Sequence, residues 1–120
     1  MYDHIGLKTK DLAASVRFYR AALGALGHVL CSQDEASASF GPPGQPAFWI
    51  YRSQALPSSG VHVAFRAAER PQVDRFYRLG LEAGGGDHGG PGIRTAYGPH
   101  YYAAFLLDPD GNNVEAVCLR

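Results

Sequence analysis

The stretch AASVRFYRAALG (residues 13–24) contains the tetrapeptide RFYR, and the same four residues recur in QVDRFYRLGLEAG (residues 72–84). The two copies of RFYR, at residues 17–20 and 75–78, are related by an offset of 58 residues. The same offset pairs three further positions: His4 with His62, Leu23 with Leu81, and Gly27 with Gly85. One shift therefore aligns a strand histidine, a helix core and a helix end, which indicates that a structural unit has been duplicated.

Each copy of the unit is predicted to be a strand, a helix and further strands. Alternating apolar and polar residues predict strands at 2–9, 28–32, 36–40, 47–52, 60–67, 101–107 and 112–119. Helical spacing predicts one helix at about 12–26, capped by Asp11, and a second with Pro71 in its first turn. The apolar stripe of this second helix is predicted to be Val73, Tyr77 and Leu81. The glycine-rich segment 84–92 is predicted to be a loop.

The composition is that of a globular chain with no dominant charge. Its 120 residues, 46% hydrophobic and 18% charged, predict one domain over 1–120 with module 1 at about 1–58 and module 2 at about 59–120. Eleven basic and eleven acidic residues cancel, so neither nucleic acid nor a membrane is expected as a partner. Cys31 and Cys118 have no metal-binding spacing and are expected to be reduced thiols in a cytoplasmic protein.

Three residues, His4, His62 and Glu115, form the constellation that most indicates chemistry. Each lies within a predicted strand and has apolar neighbours along the chain. Two neutral imidazoles and one carboxylate on a common face make a facial triad, which holds a divalent metal ion and leaves coordination positions open for substrate. The alternative for the histidines is a hydrogen-bonded role in the core. An unpaired buried carboxylate is costly, and this favours a functional role for Glu115.

The turn DPDG (108–111) sets the register of the last two strands. A type I turn with a glycine bulge at Gly111 would place Phe105 opposite Glu115. Tyr101, Ala103 and Phe105 would then share the face of Glu115. Without the bulge, Tyr102 and Ala104 would lie on that face instead.

These residues resemble the vicinal oxygen chelate superfamily, which includes glyoxalase I, extradiol dioxygenases, fosfomycin resistance enzymes, epimerases and bleomycin resistance proteins. Three stretches carry the resemblance: DHIGLKTKDLAASVRFYRAALGALG at 3–27, VHVAF at 61–65 and FLLDPDGNNVEAV at 105–117. The resemblance implies an α+β fold of two β-α-β-β-β modules whose strands form an incomplete, cupped mixed barrel with the helices outside. It also implies a homodimer, and it matches His4, His62 and Glu115 to three metal ligands of the family.

One position departs from the glyoxalase I pattern. The resemblance implies a fourth carboxylate ligand on the last strand of the first module, where this chain has Trp49 in AFWIYR. Tryptophan cannot ligate a metal, so three protein ligands are expected, as in dioxygenases and fosfomycin resistance enzymes. The chain has no lysine after Lys10 to contact a phosphonate, and it is shorter than the usual dioxygenase.

The remaining candidate residues surround the expected cup. Tyr101, His100 and Arg94 are predicted to move protons or to anchor an anionic group of the substrate. Aromatic side chains are predicted to bind the substrate: Trp49, Tyr51, Tyr97 and Phe105. The alternative for Tyr97 and Tyr101 is closing the barrel mouth, and the alternative for Trp49 and Tyr51 is packing in the core.

The expected function is that of a metalloenzyme acting on a small substrate with two adjacent oxygens. One divalent ion (Fe, Mn, Ni, Zn or Co) would act as a Lewis acid in a lyase or isomerase, or would activate oxygen in a dioxygenase. The alternative is a metal-free protein that binds and sequesters a small molecule, as bleomycin resistance proteins do. The histidines would then be hydrogen-bonding residues of an aromatic cup.

Overall fold

The computed structural model describes residues 1–54 and 60–120, and the predicted boundary near residue 58 lies outside them. In chain order the elements are β1 (Ile5–Thr9), α1 (Leu12–Gly24), β2 (Val29–Gln33), β3 (Ser37–Gly41), β4 (Phe48–Arg52), β5 (His62–Arg66), α2 (Arg70–Glu82), β6 (Gly86–Asp87), β7 (Gly92–Ile93), β8 (Tyr102–Leu107) and β9 (Asn113–Cys118). No helix in the described part of the chain is long and apolar enough to cross a membrane.

The two halves of the chain share one topology. Both ends of α1 and α2 are related by the offset of 58 residues that the sequence repeat predicts. The strand that precedes each helix pairs in parallel with the last strand of its half, β1 with β4 and β5 with β9. The sheets have the orders β1-β4-β3-β2 and β5-β9-β8-β6, with β7 also on β8. The predicted α+β fold with two repeated modules and no closed barrel is confirmed.

Local signals in the sequence define the ends of the helices. Asp11 caps α1, since its Oδ1 accepts a hydrogen bond of 3.0 Å from the amide of Ala14. Gly27, after α1, has a φ of 89°. The equivalent left-handed residue after α2 is Gly84, with a φ of 101°, rather than the expected Gly85.

The buried stripe of α2 differs from the expected one. Val73 is buried, but the other buried positions are Phe76 and Gly80, while Tyr77 and Leu81 are only half-buried. The reason is the missing side chain at Gly80. A Cβ there would lie 2.3 Å from Cδ1 of Leu106. The glycine thus allows α2 to pack closely on β8 with Phe76 and Gly80 facing the sheet. Phe76 is equivalent to the buried Phe18 of α1.

The segment 84–92 is not the simple loop that its glycines predict. Its β6 and β7 pair antiparallel with β8, with Gly86 opposite Leu107 and Gly92 opposite Ala103. Between them Phe105 donates to the carbonyl of Gly89 at 2.8 Å. Glycines allow this close approach, and the pairing satisfies backbone groups at the edge of β8 that would otherwise need water.

A buried polar cluster links α1 to the turn between β8 and β9. The hydroxyl of Tyr19 donates to Oδ2 of Asp108 at 2.5 Å, and Nδ2 of Asn112 donates to the same oxygen at 2.9 Å. The amides of Asp110 and Asn112 donate to the other oxygen, Oδ1. The turn has the predicted glycine bulge, with Gly111 at a φ of 87°. Tyr19 therefore ties the helix of the first half to the hairpin of the second.

We expect Tyr19→Phe to lower the free energy of unfolding by about 1.5–3 kcal/mol, because it removes a buried hydrogen bond to a charged group. Tyr19 is 1% exposed, so water cannot replace the lost donor. Urea-induced unfolding measures the change. Tyr77→Phe is the matched control, since it deletes the hydroxyl at the repeat-related position, where an exposed hydrogen bond with Asp87 is available to water. Equal losses in the two variants would contradict the role of the cluster.

Candidate functional site

The exposed face of the second sheet carries a cleft of about 430 Å³. Its lining residues come from β5, β8, β9 and the segment before β8: His62, Tyr97, Tyr101, Phe105, Asn113 and Glu115. On β9 these positions alternate with Val114 and Ala116, which belong to the hydrophobic core. Because successive side chains of a strand point to opposite faces of the sheet, neighbouring residues of β9 belong alternately to the cleft and to the core.

Glu115 lies at the bottom of this cleft and is 2% exposed. Its Oε1 accepts a hydrogen bond from the hydroxyl of Tyr101 at 2.5 Å. Its Oε2 lies 2.9 Å from Nε2 of His62. Phe105 is directly opposite Glu115 in the β8–β9 ladder, as the bulged turn predicts. A buried carboxylate requires such partners, because its desolvation is otherwise uncompensated.

The ring of His62 is oriented by the backbone. Its Nδ1 lies 3.1 Å from the carbonyl oxygen of Asn113, which can only accept, so Nδ1 carries a proton. Nε2 therefore presents its lone pair to Oε2 of Glu115 unless the ring is doubly protonated. An ionised carboxylate also only accepts. The 2.9 Å contact thus calls for a cation between or on these atoms, either a proton or a metal ion.

Asn113 is a site residue that the sequence reasoning did not select. Its Oδ1 is buried and has no hydrogen-bond partner in the described ranges 1–54 and 60–120. The residue lines the cleft and lies two positions before Glu115 on the same face of β9. The sequence could have indicated this, because Asn113 and Glu115 are two positions apart in NNVEAV and side chains two apart in a strand lie on the same face. A residue of the cleft lining thus carries a buried acceptor without a partner in the described ranges.

Tyr101 and Tyr97 form an aromatic wall of the cleft, with ring centroids 5.3 Å apart. Burial, followed by the hydrogen bond to Glu115, raises the pKa of Tyr101 to about 12. The phenol therefore stays protonated near neutral pH and acts as a donor to the carboxylate. Phe105 lies against His62, with centroids 6.3 Å apart.

The other predicted proton-transfer and anchoring residues lie outside the lining. Arg94 stacks over the ring of Phe105, with its Cζ 5.4 Å from the centroid, and donates to the carbonyl of Gly90 at 2.6 Å. It therefore contacts a residue of the cleft without lining it. His100 is exposed and is not among the lining residues.

The remaining predicted residues lie on the first sheet. Trp49 and Tyr51 stack on each other, with centroids 6.2 Å apart and planes 8° apart. His4 lies just before β1 rather than within it, and its Nδ1 is 2.7 Å from Oδ1 of Asp3. Gly6 makes room for Tyr51, because a Cβ at residue 6 would lie 2.7 Å from that ring. This face holds the aromatic pair and His4 on a separate sheet from His62.

One chain brings together two of the three proposed metal ligands. Within residues 1–54 and 60–120, no three His, Cys, Asp or Glu side chains are grouped closely enough to hold a metal ion. His62 and Glu115 are adjacent, whereas His4 does not join them.

A family model for the Glyoxalase/Bleomycin resistance protein/Dioxygenase superfamily matches residues 2–116. The chain belongs to this superfamily. Superfamily members generally bind a divalent metal ion and small molecules, and they are typically dimers. No curated protein matches the chain.

Solved structures of the superfamily share the fold over nearly the whole chain. A glyoxalase/bleomycin resistance protein from Albidiferax ferrireducens is 29% identical over 98% of both chains, with a TM-score of 0.85. A family enzyme from Burkholderia phytofirmans is 18% identical over 98% of both, with a TM-score of 0.76. A V278E glyoxalase I mutant from Zea mays is 22% identical, with a TM-score of 0.75, over 96% of this chain and 44% of the maize chain.

Proposed function

We propose that this superfamily member is a divalent-metal-dependent lyase, isomerase or dioxygenase that acts on a small substrate with two adjacent oxygens. His62 and Glu115 would hold the metal ion together with His4 from a second copy of the chain. The observation that carries the proposal is the contact between Nε2 of His62 and Oε2 of Glu115, an imidazole and a carboxylate that line the same cleft and together attract a cation.

The donor set and its spacing fit a metal ion. Nε2 of His62 and Oε2 of Glu115 lie 2.9 Å apart, so one ion could contact both atoms. The hydrogen bond from Nδ1 of His62 to a backbone carbonyl is the usual way in which a metal-binding histidine is oriented. One imidazole and one carboxylate with open positions suit Fe, Mn, Ni, Zn or Co.

A third protein ligand would come from a homodimer. His4 and the stacked pair of Trp49 and Tyr51 belong to the first sheet, and within the described residues His4 is not grouped with His62 and Glu115. In a homodimer, the first sheet of one copy would lie over the cleft of the other. The four-stranded and five-stranded sheets also leave strand edges that an oligomer would protect.

The residues of the cleft would prepare the substrate for chemistry. The metal ion, when bound, supplies a Lewis acid that polarises the two substrate oxygens. Tyr101 holds Oε1 of Glu115 through its hydroxyl, which leaves Oε2 directed at His62. Asn113 lines the same cleft and would contact the substrate beside Glu115. Tyr97 and Phe105 would contact the carbon skeleton of the substrate, and Trp49 and Tyr51 of the second copy would close the cleft.

Subunit mixing tests the proposal most sharply. A His4→Ala chain keeps His62 and Glu115, while a Glu115→Gln chain keeps His4. A dimer containing one of each, isolated through two different non-histidine tags, would have one intact site. We expect about one metal ion per mixed dimer and none in either variant homodimer, measured by elemental analysis after dialysis against a metal buffer.

Two outcomes would overturn parts of this assignment. Metal retained by the His4→Ala homodimer would remove His4 from the ligand set. A mixed dimer without metal, beside a loaded wild type, would exclude a site shared between copies. Light scattering on the same samples establishes that the dimer is present.

The second candidate function is a metal-free protein that sequesters a small molecule. It is favoured by one observation: a doubly protonated His62 would satisfy both Glu115 and the carbonyl of Asn113 without any metal. In that case the melting temperature would not change with divalent metals or with EDTA. The metal-dependent function requires that the melting temperature change both on adding divalent metals and on adding EDTA.

A further inference from the structure

The repeated tetrapeptide RFYR has a different setting in each half of the chain. In α1, its two arginines, Arg17 and Arg20, line an open cleft of about 460 Å³ formed by the helix and the last residue of β2. The other lining residues are Ala13, Val16, Ala21 and Gln33. None of them lines the cleft around Glu115, so this is a second cleft with its own composition.

The second cleft carries two positive charges and no negative one. Arg17 and Arg20 are exposed, and in the part of the chain that the structure describes neither guanidinium forms an ion pair or a hydrogen bond. Asp34, which follows β2, accepts from two backbone amides of its own turn through Oδ1. Guanidinium groups only donate hydrogen bonds. The lining therefore presents two sets of charged donors without an acidic partner.

The second copy of RFYR shows how the same arginines are neutralised in α2. Arg78 lies 3.8 Å from the carboxylate of Glu82, one turn further along the helix. The position equivalent to Glu82 in α1 is Gly24, and the position equivalent to Asp74 is Val16. Each of these two carboxylates of α2 is thus replaced in α1 by a residue without charge, which leaves the arginines of α1 available to a ligand.

We propose that this second cleft, the arginine cleft, binds a small organic phosphate monoester. Arg17 and Arg20 are three residues apart on α1, where side chains are neighbours, so both guanidinium groups can reach one ligand group. A phosphate dianion matches their two charges and offers three acceptor oxygens, whereas a carboxylate has one charge and two oxygens. The organic part of the ligand would lie on Ala13, Val16 and Ala21.

Three probes separate the contributions of charge and organic part. The volume of the arginine cleft lies within the range of about 300–1,000 Å³ that is common for small-molecule sites, so phenyl phosphate is a probe of suitable size. Benzoate carries the same ring with a single negative charge, and inorganic phosphate carries the charge without a ring. Titration at about pH 8, where phenyl phosphate is a dianion, is followed in NMR spectra of the full chain. We expect phenyl phosphate to bind at least fivefold more tightly than either other probe, and equal affinities would overturn the ligand class.

Substitutions in the two copies of RFYR test the site itself. Arg17→Gln and Arg20→Gln are each expected to weaken the binding of phenyl phosphate about tenfold, because each removes charge-assisted hydrogen bonds. Arg75→Gln and Arg78→Gln make the same change at the equivalent positions of α2 and should leave the affinity unchanged. Equal weakening in the variants of α1 and α2 would reveal only a general attraction of anions to positive charge, and it would overturn the site.

Restoring the missing carboxylate tests the arginine cleft without removing an arginine. Gly24 has room for a side chain, since an added Cβ would meet nothing within 4 Å beyond its own stretch of helix. Gly24→Glu places a carboxylate four residues after Arg20, as Glu82 follows Arg78, and should weaken phenyl phosphate about fivefold. Gly24→Gln has the same shape without the charge and should bind like the wild type.

The location of the NMR shifts distinguishes the arginine cleft from the cleft of the proposed function. Signals of Val16, Ala21 and Gln33 should shift when phenyl phosphate binds to the wild type. Shifts confined to the surroundings of Glu115, or unchanged binding in Gly24→Glu, would overturn the proposal. None of these readouts depends on metal or on activity.

Discussion

Glu115→Gln is expected to abolish metal binding, with the affinity falling by more than about a hundredfold. Changes to residues that merely orient a metal ligand already cost about 10–100-fold, and a lost ligand charge costs more. Glutamine has nearly the same shape and its carbonyl can still accept from the hydroxyl of Tyr101, so the fold should persist. The expected result is about one divalent ion per chain in the wild-type dimer and none in the variant. Elemental analysis of protein purified without a histidine tag provides the measurement.

Glu82→Gln is the matched control for this experiment. Glu82 is an exposed residue of α2 whose carboxylate lies 3.8 Å from Arg78 on the preceding turn, and it does not line the cleft. Its substitution should leave metal content unchanged. If Glu115→Gln bound as much metal as the wild type, Glu115 would not be a metal ligand. A wild type that accepts none of Fe, Mn, Ni, Zn and Co would leave sequestration of a small molecule as the better function.

Phe18→Ala is expected to lower the free energy of unfolding by about 3–5 kcal/mol, which is a large part of the stability of a small domain. Phe18 is 0% exposed and its ring packs at 4.9 Å from that of Tyr19. It also fills the space above two glycines of the second half. A Cβ at Gly80 would lie 3.3 Å from Cε1 of Phe18, and one at Gly85 only 2.4 Å. Truncation would therefore leave a cavity between α1 and α2.

The repeat supplies both controls for this stability measurement. Phe76→Ala, at the equivalent position of α2, should cost a similar amount because Phe76 is 1% exposed. Arg17→Ala changes the exposed neighbour of Phe18 in α1 and should alter stability by less than about 0.5 kcal/mol. Chemical unfolding followed by circular dichroism gives all three values. A loss below about 1 kcal/mol for Phe18→Ala would contradict the packing between the helices.

The plan of the fold could be predicted from the sequence because its signals are local. The period of two identified the faces of β5 and β9, and the period of 3.6 with the Asp11 cap identified α1. The glycine bulge at Gly111 correctly placed Phe105 opposite Glu115, which put Tyr101 in reach of that carboxylate. The prediction that Val73, Tyr77 and Leu81 form the buried face of α2 was wrong in part. Gly80 has no hydrophobic side chain to mark it as buried, yet its lack of a Cβ allows close packing on Leu106.

The duplicated topology, the superfamily resemblance and the shared face of Glu115 and Phe105 therefore follow from the residue pattern alone. Which of the candidate side chains come into contact depends on how the elements pack. That packing brought Nε2 of His62 to Oε2 of Glu115 and left Oδ1 of Asn113 without a partner in the described part of the chain. It kept His4 apart from His62 and Glu115, just before β1 of the first sheet. The physical reason is that strand periodicity assigns a side chain to a face, whereas the packing of α1 against α2 sets where the two faces lie in space.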